Sequence, residues 1–585
     1  MNIETTPLSI KQDEHVALCK KLKDGKISST EVVAALRRSV EGVGWAAQSE
    51  EVNELCTQER KVFKDKAAAA IDRILPSSKE GTPASRLKNN KGLLRFISVV
   101  TPNIRLRARA GSGKSTALII KCDFLINEIG VPPEAIQLLT FNRAAAENLT
   151  RNMCKSLGSE IGNKIGINTF HSLAYHVLKS NPGTRDWSLF FKEDDRSEKD
   201  QNSDLKRTTV KVTSPRDMEA YRDRYANSEY SYLIKRNDFE NFVHKHITKA
   251  ASLYRARRGA SKTVPSNQIT RHIERIAEAY DDRLDKNQAF DGEKGLRKAA
   301  NLLKSGAELP GFKRVAGDLQ FLFVDEFQDF SPAFSDLTQA LMHRNPTCVL
   351  NAVGDDWQSI NAFMGAEPNL FKTFKSSYPT SLNLSLQSNW RCGKRIVELG
   401  NRVMEADEDV AAVPAVSHEG RVRVAVGGIQ LRNANADWHP QAQEYLERQI
   451  ERMAQAAWAD DTRAKRDPGS IAVLASSKNV FGKPLRDYAG KIKDSEGGAV
   501  EFSTVHSSKG IQWDHVILID AIKSHYPSGH PAEPIQQDIF SDAERRDEGQ
   551  RLLYVAVTRA KYSVAILAPT ELHPLLGSAL ELAKR

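Results

Sequence analysis

The stretch Arg107-Ala-Arg-Ala-Gly-Ser-Gly-Lys-Ser-Thr116 has the residue types that hold a nucleotide triphosphate. Gly111 and Gly113 let successive backbone N–H groups turn on phosphate oxygens with no Cβ in the way, and a helix that follows would present its positive N-terminus. Lys114 can then reach the β- and γ-phosphates, Ser115 can ligate Mg²⁺, and Ala110, Ser112 and Thr116 complete the cradle. A second stretch supplies the complementary chemistry. The apolar run Leu319-Gln-Phe-Leu-Phe-Val324 ends directly in Asp325-Glu-Phe-Gln-Asp329. Carboxylates delivered by a buried strand are costly unless a cation meets them. Asp325 is suited to holding Mg²⁺ through its water shell, and Glu326 to orienting or deprotonating an attacking water.

These groups need a scaffold that brings loops together at one edge. Asn103–Ala108 alternates as a strand and Ala117–Ile126 reads as a buried helix. Ala135–Phe141 followed by the Ala-rich Asn142–Met153, and Ile165–Thr169 followed by a helix to Leu178, repeat the strand–helix step. The sheet resumes at Leu319–Val324 and Cys348–Val353. Strands alternating with helices predict an α/β fold built on parallel sheets, with ligands at the strand ends. A second α/β unit is expected from about Leu382, with strands at Arg421–Val426, Ser470–Leu474 and Val516–Asp520, one more starting at Val500 in the stretch Val500–Gly510, and no phosphate loop of its own.

The remaining segments are helical. Residues 1–95 carry apolar helical spacing at Glu14–Leu22, Ser29–Val40 and Gln58–Leu75 and break at Pro76–Pro83; an accessory domain, a partner-binding module or a buttress would each fit. Residues 180–310 read as a helical insertion entered through the charged stretch Lys192–Asp204, with a basic run at Tyr254–Lys262 that suits phosphates or a solvated face. The expected units are thus 1–95, a first α/β unit of 96–179 and 311–375 around the insertion, and a second of 376–585.

At 585 residues the chain needs several cores. Its 84 Lys+Arg against 74 Asp+Glu give a net charge of +10, compatible with a polyanionic partner but too diffuse to establish one. No apolar run is long enough for a membrane span and no signal-peptide pattern opens the chain, so a cytoplasmic protein is expected. The six cysteines are scattered singly, which argues against a structural zinc site or a disulfide framework.

Taken in order, these stretches resemble the motor of UvrD/Rep-type superfamily 1 helicases over roughly residues 96–568. The resemblance implies two RecA-like domains with ATP and Mg²⁺ between them and single-stranded DNA crossing both. Carried over to this chain, it implies that Gln358 senses the γ-phosphate, that Arg391 and Arg559 reach it from the second domain, and that Trp390, in place of the usual tyrosine, stacks on adenine. It implies DNA contacts for Phe141, Thr169, Phe170, His171, Phe363, Thr504 and His506; aromatic faces suit bases and hydroxyl or imidazole donors suit phosphates. Only Lys478–Ala499 stand where family members insert a large mobile subdomain. Compact relatives of this kind include the helicase-like subunit of the Gabija antiviral system, which works beside a separate nuclease.

The function expected from that resemblance is an ATP-dependent translocase moving 3′ to 5′ on single strands and unwinding duplex DNA, in repair, recombination or defence. The alternative from a different class is an ATP-gated DNA-sensing subunit that controls a partner nuclease or other effector.

Overall fold

A computed structural model describes residues 49–75, 90–100, 102–189, 205–226, 231–235, 237–258, 267–378, 381–427, 440–476, 500–522 and 542–584, together with Val16, Ala17, Lys20, Lys21, Lys23, Asp24, Ile492 and Tyr526. The expected helix Ser29–Val40, the break Pro76–Pro83, the stretch Lys192–Asp204 and all of Lys478–Ala499 but Ile492 lie outside the described residues, as does most of Glu14–Leu22.

Strands β1 (Asn103–Ala108), β2 (Ile136–Thr140), β3 (Gly166–Thr169), β4 (Phe321–Val324), β5 (Val349–Gly354) and β6 (Ser381–Leu386) form one sheet in the order β3-β2-β4-β5-β1-β6. Every pairing in it is parallel. The interior strands β2, β4 and β5 are buried at every residue, as expected for strands covered by helices on both faces. All chain segments leaving the carboxyl ends of these strands emerge along one edge. The phosphate loop, Phe141, the Thr169–His171 turn, Asp325-Glu326 and the Asp355–Phe363 segment are collected there.

Sequence reading begins the second unit near Leu382, but Ser381–Leu386 closes the first sheet. It pairs with β1 from Asn103↔Ser381 to Ala108↔Leu386. Its alternation explains this: Leu382, Leu384 and Leu386 are buried while Asn383 and Ser385 are exposed, the pattern of an edge strand with one wet face. The N-terminal helix Ser49–Ile74 is also part of this unit rather than a separate body. Phe63, Ala67, Ala70 and Ile71 pack into the same core as Ile104, Leu106 and Ile120. Arg73 bonds Asp123 at 2.6 Å and Glu128 at 2.7 Å, fixing the helix to the segment after the phosphate loop.

Between β3 and β4, helices Pro215–Ala226, Phe239–Arg257 and Gln268–Lys286 enclose their own core around Tyr221, Val243, Ile247, Ile273 and Tyr280. Helix Gly292–Lys304, inside the expected insertion, instead packs Leu296, Ala299 and Leu303 into the core of the first sheet. Amphipathic spacing shows that a face is buried but not against what.

The second sheet contains β7 (Arg421–Val426), β8 (Ile471–Ala475), β9 (Glu501–Thr504), β10 (Trp513–Leu518) and β11 (Ala560–Ala568) in the order β7-β11-β10-β8-β9, again all parallel. Helices Lys394–Val403 and Asp542–Val557 cover one face and Pro440–Arg463 the other, each over a separate apolar cluster. Two RecA-like parallel sheets, facing each other across the loops described above, account for the α/β fold class. No helix among the described residues is long and apolar enough to cross a membrane.

Candidate nucleotide site and nucleic-acid interface

The phosphate loop leaves β1 through Arg109 and Ala110 and enters helix Lys114–Asp123 with Gly113 as its N-cap. Gly111 (φ +70°) and Gly113 (φ +85°) both take left-handed conformations. At Gly111 space requires it too, because a Cβ there would lie 2.7 Å from Arg391 Cβ and 2.8 Å from Asn389 Oδ1. The loop is therefore packed directly against the segment that follows β6. Trp390 N donates to Gly111 O at 2.9 Å.

Lys114 Nζ bonds Glu326 Oε2 at 2.8 Å. Burial opposes its charge, but Glu326, Asp325 and Asp355 outweigh that and hold the ammonium above the usual lysine range. Glu326 follows β4 in a left-handed conformation (φ +54°), an uncommon state for a side-chain-bearing residue and one found at functional sites. Burial favours the neutral form of both carboxyls. At Asp325 burial and the charge of Glu326 win and push the group up, whereas at Glu326 the cations Lys114 and Lys509, with hydrogen bonds from Lys114 and Gln328, hold it down. Ser115 is exposed in the first turn of the helix.

Gln358 sits in the turn after β5. Its Nε2 donates to Asp355 Oδ2 at 2.6 Å, and its Oε1 accepts from Arg559 Nη2 at 2.9 Å. Arg559 is delivered from the second sheet, between helix Asp542–Val557 and β11. Burial first, then the nearby Arg391 charge, lower its pKa to about 9, which leaves it a cation at neutral pH. Arg391 Nη1 reaches Thr558 O at 3.2 Å, while its Nε is buried without a hydrogen-bond partner. The structure thus brings Ala110–Thr116, Asp325, Glu326, Gln358, Trp390, Arg391 and Arg559 to one interface between the sheets.

The sequence-derived DNA candidates divide into two groups. Phe363 is 50% exposed, and its ring meets His506 edge-on at 5.1 Å between centroids. Burial and the Lys509 charge lower the His506 pKa to about 4, so the imidazole is neutral. Phe141 and His171 are placed elsewhere, each edge-on to Phe334, at 6.2 and 5.5 Å. Phe170 offers no face to a base: it is buried and stacks on Phe334 at 4.3 Å, in the core between β3 and helix Pro332–Arg344. Thr169 Oγ1 caps the helix after it by accepting from Ser172 N at 3.1 Å. Thr504 is buried, its hydroxyl engaged with Ser507 Oγ at 2.9 Å and Ser507 N at 3.1 Å, so it shapes the His506 loop rather than presenting a donor.

Sequence reasoning passes over several groups that the fold places here. Lys509 pairs with Asp329 and donates to Gln358 O at 2.7 Å, and Arg551 Nε donates to Ser359 O at 2.7 Å. All three contacts cross from the second sheet to the first. The signals for Lys509 and Asp329 are the lysine inside Thr504–Gly510 and the second aspartate of Asp325–Asp329.

Comparison with known proteins agrees with this geometry. Residues 90–379 match the UvrD/REP helicase N-terminal domain and residues 485–569 the UvrD-like helicase C-terminal domain. DNA helicase IV of Escherichia coli (strain K12) is 25% identical over 483 residues, covering 78% of this chain and 65% of that protein. A probable DNA helicase of Mycoplasma pneumoniae is 22% identical over 455 residues, 77% of this chain and 78% of that one. The Rep helicase of Buchnera aphidicola subsp. Acyrthosiphon pisum is 27% identical over 299 residues, 51% of this chain and 42% of its own length. The chain thus spans just under two thirds of DNA helicase IV and about two fifths of Rep. The two matched domains, in this order and on two parallel sheets that meet at the phosphate loop, show that the chain belongs to the UvrD/Rep-type superfamily 1 helicases.

Proposed function

We propose that the chain hydrolyses ATP at the interface between its two sheets and uses the cycle to move along single-stranded DNA, opening duplex ahead of it. The observation that carries this reading is the position of Gln358. It bonds the second sheet's Arg559 on one side, and on the other its segment runs within a few residues to the exposed Phe363. A residue placed to feel the γ-phosphate is therefore joined by one short turn to a residue placed to stack on a base.

The site fits a magnesium nucleotide. Gly111 and Gly113 hold the loop in left-handed conformations that leave its backbone N–H groups free to turn on phosphate oxygens, and Ser112 Oγ, Asp329 Oδ1, Trp390 Nε1 and Arg391 Nε are buried polar atoms without hydrogen-bond partners. Ser115 and Asp325 are the residues to hold Mg²⁺, whose chemistry there is to offset charge on the phosphate oxygens. A phosphate would compete with Glu326 for the Lys114 ammonium. When the ammonium turns to the phosphate, Glu326 loses its strongest cationic partner, its basicity rises, and it can take a proton from water. Arg391 and Arg559 offset charge as the phosphoryl group leaves.

The motion follows from the same contacts. Arg559–Gln358 and Lys509–Asp329 join the two sheets, so loss of the γ-phosphate changes what holds them together and shifts Phe363 against the strand. We assign the direction 3′ to 5′ from the family resemblance. The test is strand displacement on duplexes with a 3′ or a 5′ single-stranded tail: ATP-dependent unwinding confined to the 3′-tailed substrate is expected. Unwinding confined to the 5′-tailed substrate would overturn the direction, and none on either would overturn the unwinding.

A further inference from the structure

Arg109 lies inside the phosphate loop, yet its side chain points away from the cradle into the protein, where it is 1% exposed. Its Nη1 donates to Asp355 Oδ1 at 2.7 Å and to Asp356 Oδ1 at 2.8 Å. Its Nε donates to Val410 O at 2.9 Å, on a loop that follows the second unit's helix Lys394–Val403. The guanidinium carbon lies 3.5 Å from the centroid of the Trp357 ring. Its backbone carbonyl meanwhile accepts from Ser112 N at 3.0 Å within the loop.

These bonds continue. Asp355 is fully buried and uses its other oxygen, Oδ2, to hold Gln358 Nε2 at 2.6 Å. That hold leaves Gln358 Oε1 turned to Arg559 Nη2 at 2.9 Å. An amide has one donor end and one acceptor end, so Asp355 decides which end faces Arg559. A buried carboxylate stays ionised and fixed only if a cation and good donors meet it, and Arg109 is what meets this one from the loop side.

We propose that Arg109 is a positioning residue for ATP hydrolysis: through Asp355 it fixes the orientation of Gln358, and through Gln358 the placement of Arg559, so that the phosphate loop and the second sheet's arginine are set by one chain of polar contacts. This rests on the hydrolytic reading above. A planar fork is needed because one side chain must meet two carboxylates and a carbonyl while lying flat on an indole, which an ammonium cannot do.

The test compares the full chain with Arg109→Lys, Gln358→Ala and the double variant. Arg109→Lys keeps the charge, so the buried carboxylates are not abandoned and folding is expected to survive. In ATP turnover with an oligothymidylate strand, Arg109→Lys is expected to lower kcat by about 10-fold or more with KM for ATP changed less than about 3-fold, the signature of a lost arrangement rather than lost binding. Adding it to Gln358→Ala should have no further effect, since residues acting in one unit are not additive. Multiplying effects in the double variant, or a normal kcat in Arg109→Lys, would overturn the proposal. Hydrogen–deuterium exchange, which needs no turnover, is measured on the same proteins. Residues 351–361 should exchange faster in Arg109→Lys while β2 does not change; unchanged exchange at 351–361 would overturn the positioning role. Should the unaltered chain fail to hydrolyse ATP, the hydrolytic reading falls and the exchange result alone decides whether Arg109 holds the Gln358 segment.

Discussion

Arg559 and Gln358, far apart in sequence and carried by different sheets, are joined by a 2.9 Å hydrogen bond from guanidinium to amide oxygen across the interface that also holds the phosphate loop. Arg391 stands close enough to Arg559 to lower its pKa. Two cations so placed are tolerable without a ligand only because Gln358 and backbone carbonyls share the load; a polyphosphate would relieve both. Arg391→Ala and Arg559→Ala are each expected to cut ATP turnover by about 10²-fold or more while single-strand binding measured by fluorescence anisotropy stays near normal. Arg559→Lys should rescue little, since an ammonium lacks the fork. Near-normal hydrolysis in either alanine variant would mean that the interface does not work as a catalytic cleft.

The Lys114–Glu326 ion pair makes a sharper prediction than loss of activity. Glu326 competes with phosphate for the lysine, so Glu326→Gln removes both a competitor and a nearby negative charge. Turnover should collapse while affinity for ATP rises, by about 10-fold if roughly 1.4 kcal/mol of pairing is released. Lys114→Ala should lose affinity instead. Titration with a fluorescent ATP analogue separates the two, and weaker binding in Glu326→Gln would contradict the competition.

Phe363 and Phe170 are expected to behave oppositely. Phe363 is half exposed, so Phe363→Ala should leave the melting temperature nearly unchanged and remove stacking of about 1–3 kcal/mol from strand binding, slowing only DNA-stimulated turnover. Phe170 is buried, so Phe170→Ala should cost about 3–5 kcal/mol of stability and lower every activity in proportion. Melting curves and turnover with and without a single strand, on both variants, decide it. A destabilised Phe363→Ala with proportional loss of both activities would remove its role on DNA.

Glu548, on helix Asp542–Val557, faces the Ala362 backbone with its Oε1 buried and unpartnered. Burial pushes its pKa up to about 7, the pull of Arg551 being insufficient to reverse it. A carboxyl raised on folding binds its proton more tightly in the native state, so its contribution is present below the unfolded value near 4.5 and is lost as pH rises through 7. Glu548→Gln mimics the neutral form. Its melting temperature should match wild type near pH 4 and exceed it near pH 8; a constant difference across that range would rule out the titration.

What could be read in the sequence was local chemistry. The phosphate loop and Asp325-Glu326 are legible because a strand end fixes both residue type and direction within a few positions. The placing of Ser381–Leu386 was not, since an alternating strand belongs equally well to either sheet until its partner is known. Phe170 and Phe363 are the same residue type beside similar motifs; only tertiary packing buries one ring under Phe334 and leaves the other beside His506. Arg109 has no role assignable from sequence, because its partners lie on segments distant in sequence.

Steady-state ATP hydrolysis by the unaltered protein, with and without an oligothymidylate single strand, reads directly whether ATP at Lys114 and DNA at Phe363 are coupled through the Gln358 segment. Turnover should rise with the strand and saturate, and Phe363→Ala should abolish that rise while leaving the DNA-free rate intact. Turnover indifferent to DNA, or a rise that survives Phe363→Ala undiminished, would contradict that coupling.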